Sequence, residues 1–302
     1  MALHIAQQTL DKINHMIEAD QGSAYRGWLG RVMPHMDDAY RMGEESFRTH
    51  LGASLIGSEC ARAIWYGWRW TTKPKFEGRI LRLFNRGHLE EARFIAMFLM
   101  IGCQVFQQDE NGKQFRISHA EGHFGGSGDG VAIGLPELPP GQACLLEFKT
   151  HADKSFIEVK KKGVREAKFE HFVQMQMYMS KMGLAVALYG AVNKNNDDLH
   201  LEYVYLDQAI ADQFLHRGEL LVWMDTAPTK MSNSPGFFKC KWCDHSPVCH
   251  MNKEPNLNCR TCAFSSPVAG AQWVCKKDPI TVVLPKEKQF VGCAGYVRHK
   301  EI

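Results

Sequence analysis

Nowhere does the 302-residue chain carry an apolar run long enough to cross a bilayer. Its longest, Phe94 to Cys103, reaches about half of the ~20 residues that a membrane helix needs. The opening MALHIAQQTL places His4 and two glutamines where a signal peptide would be apolar, so a soluble, cytoplasmic protein without an export signal is expected. An excess of one charge is missing too. Thirty-six Lys+Arg against 33 Asp+Glu leave +3, which neither demands nor excludes a polyanionic partner and leaves the local distribution to decide. With 45% hydrophobic and 23% charged residues, no internal repeat and no low-complexity tract, the composition excludes disorder, collagen and pure coiled coil. Cysteine is scarce over most of the length: only Cys60, Cys103 and Cys144 precede residue 240, and seven more crowd into 240–293. A chain this long builds a core without disulfides, so cysteines gathered in one tail point first to metal.

Periodicity predicts an α/β (α+β) fold, a mixed sheet covered by helices. Residues 1–50 read as a polar helical segment. Ser58 is a candidate N-cap for a helix through Trp65 and Tyr66, and Leu89, Ala92, Ala96 and Leu99 recur at helical spacing within a helix expected over Leu83 to Ile101. Gln104–Asp109 and Gln114–His119, joined by Asn111-Gly112, read as a β-hairpin. Further strands are expected at Gly128–Gly134, Ala143–Lys149, Leu184–Val192 and Leu199–Leu206. Helices are expected at Lys168–Met182 and from an Asp207 cap to about Met224. The Pro/Ser/Asn-rich stretch Thr226–Pro235 marks a linker, giving segments 1–50, 51–230 and 231–302, the last a Cys-rich metal-binding module. Cys103 and Cys144 are assigned to the core.

An acidic constellation stands out. Asp129 enters one strand in Gly-Ser-Gly-Asp-Gly-Val, and Glu147 and Lys149 share one face of the next, with Phe148 on the other. An Asp and a Glu converging from adjacent strands form an all-oxygen site suited to Mg²⁺ or Mn²⁺, to which the Phe148 carbonyl can add a ligand. A lysine beside such an ion can orient or deprotonate water and offset charge on a phosphate. Taken alone, the pattern also fits a surface strand of alternating charges. His88 and Glu91, three apart on a helix, could complete the shell, whereas Glu90 fits a solvated face. Gln174 and Tyr178 share a face of an otherwise apolar helix whose Met175, Met177 and Met179 are assigned to packing. Seven cations fall within 20 residues: Lys149, Lys154, Lys160, Lys161, Lys162, Arg165 and Lys168. They fit either a helix face balanced by Glu158, Glu166 and Glu170 or, as preferred here, a groove that tracks phosphates.

Glu91 with His88, Asp129, Glu147-Phe148-Lys149 and Gln174-x-x-x-Tyr178 resemble, in order and spacing, the PD-(D/E)XK nuclease superfamily. The similarity is to its RecB-like exonucleases, a branch that includes the CRISPR adaptation exonuclease and YqaJ-type phage recombinases, and it covers roughly residues 50–225. Gly128-Asp129 stands where the family has Pro-Asp, and either His88 or Glu91 matches the first ligand. The resemblance implies a restriction-endonuclease-like fold and two-metal hydrolysis of DNA from its ends. Asp129, Glu147 and the helix acid would hold the ions, Lys149 would position water, and Gln174 and Tyr178 would support the site and the DNA backbone. It also implies a role in phage recombination, replication or repair beside a single-strand annealing or binding protein, in the host cytoplasm. A non-catalytic DNA-binding scaffold and a restriction-type endonuclease are the alternatives.

Cys240, Cys243 and Cys249 form C-x2-C-x5-C, three thiolates to which His245 or His250 could add a fourth zinc ligand. The segment from Ser58 through Cys60 and Arg62 to Tyr66 resembles the N-terminal half of the iron–sulfur staple of the CRISPR exonuclease and AddB families, which implies a [4Fe–4S] cluster on Cys60, Cys240, Cys243 and Cys249. Cys259, Cys262, Cys275 and Cys293, as C-x2-C-x12-C-x17-C, supply enough thiolates for one structural zinc. Alternatively this stretch is a DNA-contacting ribbon, as suggested by Arg260, Lys276, Lys277 and Arg298.

Overall fold

Five apolar or alternating segments become one mixed sheet in a computed structural model, which describes residues 3–40, 47–73, 75–277 and 279–302. The strands are β1 (Gln104–Phe106), β2 (Gly130–Ile133), β3 (Ala143–His151), β4 (Val186–Asn193) and β5 (Leu199–Tyr205), in spatial order 1-2-3-4-5. β3 and β4 run parallel, and the other neighbours are antiparallel. Parallel neighbours require a crossover. Here it consists of the helix α4 (Asp153–Lys162), a helical turn Val164–Ala167 and the helix α5 (Phe169–Met182). Every residue of β4 is buried, as expected for a strand covered on both faces.

The helices α1 (Gln7–Ala19), α2 (Ser23–Val32) and α3 (Gly78–Met100) complete this part of the chain. The C-terminal half of α3 buries Phe94, Ile95, Phe98 and Met100 in a core shared with Cys144, Leu146, Phe148 and Leu188. Its first half leaves Leu81 and Phe84 about half exposed. Met175, Met177 and Met179 are fully buried, and Cys103 and Cys144 are core residues, as expected.

Contacts divide the chain into two compact units that are discontinuous in sequence. The first comprises Met1–Gly43, Phe76–Ile117 and Ser127–Ala211; the second comprises Glu44–Lys75, Ser118–Gly126 and Asp212–Ile302. The second contains the helix Ala61–Trp68, a short helix Phe238–Lys241 and an antiparallel sheet of Ser265–Val268, Gln272–Cys275 and Val282–Val283. Within it Arg260, only 2% exposed, lies 3.7 Å from the Trp70 ring centre and 4.5 and 4.6 Å from those of Trp68 and Trp273. It donates to the Trp68 and Thr49 carbonyls and to Gln289 Oε1. Arg260 is therefore a core cation and cannot be part of a DNA-contacting ribbon. Arg298 is likewise engaged, by Glu254, Asn252 and the Ile302 carbonyl.

Two local expectations are corrected. The Asn111-Gly112 turn forms, with Asp109 Oδ1 accepting from Asn111 and Lys113 N–H, but pairing stops at a single Gln108–Gln114 bridge. Gln104–Phe106 instead pairs with β2, where Val131 and Ala132 are both buried, one on each face, and Arg116–His119 joins a separate sheet. Ser58 does not cap the Ala61–Trp68 helix. Cys60 takes that position in extended conformation, with no side-chain cap.

Candidate active site

The sheet opens where the candidate acids meet. The β2–β3 ladder ends at the Gly130–Leu146 pair, so beyond it the backbone of β3 faces no strand on that side among the described residues. Gly130, at φ +154°, makes this turn possible: a Cβ there would lie 2.9 Å from the Phe106 carbonyl oxygen. Just before it, Asp129 Oδ2 accepts the Phe148 N–H at 2.7 Å, which docks the aspartate against the free edge. Both polar groups of a strand residue point to the same side, so the Phe148 carbonyl lies on that edge too.

Strand alternation then separates chemistry from packing. Glu147 and Lys149 face α5. Glu147, fully buried, is ion-paired with Lys149 through Oε1 and accepts from Gln174 Nε2 at 3.1 Å through Oε2. Phe148 points the opposite way and stacks on Phe94 of α3, ring centres 4.6 Å apart and planes 2° apart. The rings fit because their neighbour on β4 is Gly190, where a Cβ would come within 2.9 Å of Phe148 and 3.2 Å of Phe94. Glu91 sits one turn before Phe94, so the stack also holds this third acid in place.

The electrostatics bind these groups into one site. Burial first, then the charge of Glu147, raises the Asp129 carboxyl well above the usual range, with Glu91 adding to the effect. Burial also raises Glu147, against the opposing pull of Lys149, and Glu91 again adds to it. Burial would strip the Lys149 proton, but Glu147 and Asp129 outweigh it, so its pKa rises and the ammonium stays charged. In this arrangement Lys149 can orient water or offset phosphate charge, but it is poorly placed to accept a proton. Two buried carboxylates share one ammonium, a deficit of positive charge that a hard divalent cation would fill. Among the described residues, however, no three His, Cys, Asp or Glu side chains stand ready-made as a metal cage.

The other candidates fall around this centre unevenly. Tyr178 is buried with its ring beside Gly128. His88 is 42% exposed, its Nδ1 3.8 Å from Glu91 Oε1. Glu90 is not on a solvated face: it is buried and paired with Arg93, and burial raises its carboxyl. Lys154, in the first turn of α4, and Lys160 and Lys161 in its last are exposed. Lys162 pairs with Glu158, and Arg165 lies 3.8 Å from Asp207.

Sequence reasoning missed a polar chain beside Glu147. Its partner on β4 is Tyr189, whose hydroxyl is shared by His151 Nε2 at 2.8 Å and His171 Nδ1 at 2.9 Å, while His151 Nδ1 meets Ser155 Oγ at 2.9 Å. Burial, reinforced by lysines 149 and 168, pushes His151 down to about 4 and His171 to about 3. Two signals were available. His151 continues the period-two row of Glu147 and Lys149, and His171 precedes Gln174 by one helical turn.

The cysteines of the second unit form two electrostatic neighbourhoods. Burial raises the Cys243 and Cys249 thiols, and Cys60 adds to both; Cys240 adds to Cys249. Burial pushes Cys259 up to about 11, with contributions from Cys262, Cys293 and Cys275. His245 is committed elsewhere, with Nδ1 3.1 Å from Thr72 Oγ1.

No protein-family model matches the chain, and no curated protein matches it in sequence. Among solved structures it is similar to the alkaline exonuclease LHK-Exo in complex with dAMP, at 18% identity over 57% of this chain and 86% of that one, with a TM-score of 0.42. A second structure of LHK-Exo, from Laribacter hongkongensis, gives 17% identity, the same coverage and 0.40. SSO0001 gives 16% identity over 76% of this chain and 97% of that one, with a TM-score of 0.36. No helix among the described residues is long and apolar enough to cross a membrane.

Proposed function

We propose that the chain is a Mg²⁺- or Mn²⁺-dependent DNA nuclease of the PD-(D/E)XK type, with a restriction-endonuclease-like core, acting from DNA ends. One observation carries this reading: Asp129, ahead of β2, and Glu147 and Lys149, both on β3, meet at the free edge of β3, with Glu91 of α3 in electrostatic reach of all three. Asp129, Glu147, Glu91 and the Phe148 carbonyl are the groups that would hold the metal, and its charge would polarise the phosphate to be cut. Hydrolysis joins a water oxygen to phosphorus and releases one ester oxygen as an alcohol. Lys149 holds the water or the phosphate oxygen, and Gln174 fixes the Glu147 carboxylate. The exposed Lys154, Lys160 and Lys161 offer phosphate contacts along α4.

The test uses linear and covalently closed DNA with Mg²⁺ or EDTA. Wild type degrades only the linear form and only with the metal, and Glu147→Ala abolishes cleavage while circular dichroism is retained. Cleavage of closed circles favours an endonuclease, and cleavage surviving Glu147→Ala sinks the assignment of the site.

Both cysteine neighbourhoods belong to the same reading. Cys60, Cys240, Cys243 and Cys249 are the thiolates that would hold a [4Fe–4S] cluster, and Cys60, about 180 residues earlier in the chain, lies within electrostatic reach of Cys243 and Cys249. Cys259, which Cys262, Cys293 and Cys275 all reach electrostatically, would with them supply the four thiolates of a zinc site without an open position. Anaerobically purified protein is expected to be brown and to lose its visible absorption in Cys60→Ser while retaining one zinc. A colourless protein would overturn the cluster, and a zinc-free one the second site.

A further inference from the structure

The segment Phe237-Phe238-Lys239-Cys240-Lys241-Trp242 exposes what a folded protein ordinarily hides. Trp242 is 80% exposed and Phe238 is 64% exposed, although both adjoin the buried Cys240 that anchors the segment. Neither ring is isolated from charge. The Lys241 ammonium lies 5.4 Å from the Trp242 ring centre, and the Lys239 ammonium 5.7 Å from that of Phe238, while Lys239 also pairs with Glu59. From Lys230 to Lys253 the chain carries four lysines against the single acid Asp244, a local excess in a nearly neutral protein. Phe238 also packs on Phe237, ring centres 4.7 Å apart, so Trp242 is the more open ring; with a cation over it, it suits a ligand with flat unsaturated rings and a negatively charged backbone. Duplex DNA hides its base faces, whereas a single strand presents both features together.

We infer that Trp242 and Phe238, with Lys241, form a stacking platform for single-stranded DNA. This rests on the nuclease reading for its choice of nucleic acid over other polyanions, and it assigns that activity a surface for an unpaired strand.

The experiment uses the full chain carrying Glu147→Gln, in EDTA, with a fluorescein-labelled dT20 and a blunt duplex read by anisotropy, and with intrinsic tryptophan fluorescence read on dT20. Stacking of one base gives an expected loss of about tenfold in dT20 affinity for Trp242→Ala, with Trp242→Phe close to wild type and duplex affinity unchanged. Lys241→Gln should lower the slope of log affinity against log salt by about 0.7. Tryptophan fluorescence should be quenched by dT20 in the parent and much less in Trp242→Phe. Unchanged dT20 affinity in Trp242→Ala, the result expected if the patch binds a protein, overturns the inference, as does equal weakening for the duplex. Mg²⁺-dependent cleavage by the wild type is scored separately. Failure of the nuclease reading therefore appears as no cleavage, and failure of the platform as dT20 binding indifferent to Trp242.

Discussion

Replacing Gly190 by alanine tests the packing that places the acids. The added methyl would lie 2.9 Å from Phe148 Cδ1, 3.2 Å from Phe94 Cε1 and 3.4 Å from Phe148 Cε1. All three atoms belong to rings stacked face to face in the core, with no flexible end to swing away. Overpacking of this kind costs about 1–3 kcal/mol, and the stiffer unfolded chain returns about 0.4–1 kcal/mol. A net loss of about 1–2 kcal/mol is expected, or ~2–8 °C in Tm. Urea denaturation with and without Phe148→Leu forms the decisive cycle. Removing the ring relieves the collision, so the double variant should be more stable than the two single losses added together by about 1 kcal/mol. Because Phe148 lies between Glu147 and Lys149, and Phe94 one turn beyond Glu91, Gly190→Ala should also slow cleavage of linear DNA. A Gly190→Ala protein as stable as wild type, or strictly additive effects, would refute the claim that the stack fills this space.

Asp129→Asn should abolish cleavage yet stabilise the metal-free protein by about 0.5–2 kcal/mol, since it keeps an acceptor for the Phe148 N–H while removing one of the crowded charges. In thermal melts Mg²⁺ should raise the wild-type Tm and leave the variant unmoved. His151 is neutral in the fold at about 4, against ~6.5 unfolded, so the unfolded chain binds more protons between those values. Its contribution is constant above pH ~6.5, and stability falls by up to about 3 kcal/mol as pH drops to ~4. His151→Gln should flatten that part of the pH–stability curve, and an unchanged curve counts against a buried neutral imidazole. Arg260→Lys should cost about 2–4 kcal/mol by denaturation, because one ammonium cannot serve two carbonyls and a glutamine while lying between three indoles. A loss below 0.5 kcal/mol would mean that the guanidinium is dispensable.

The centre of the site was legible because its information is local. Strand alternation put Glu147 and Lys149 on one face, and helical spacing put Gln174 and Tyr178 on one side of α5. The hairpin misled because Asn111-Gly112 specifies a turn but not the partners of the strands leaving it. Gln104–Phe106 pairs instead with β2, whose Val131 and Ala132 are buried on its two faces. Glu90 misled because a charge next to a site residue reads as solvent-facing until Arg93 buries it. Local spacing marked His151 and His171, but their meeting at the Tyr189 hydroxyl depends on the register between parallel strands, and Arg260 depends on Trp68 and Trp70, about 190 residues away in sequence; neither partner has a local pattern.

The free edge of β3 makes the proposed catalytic arrangement intolerant of slippage. Sliding that strand by a single residue would drive Phe148 toward α5 and thrust two charges into the hydrocarbon packed on Phe94. The aromatic pair therefore acts as a ratchet tooth for the register. Length changes at the exposed turn 139–141 should be harmless, whereas one residue inserted between Ala143 and Glu147 should dismantle folding and cleavage together.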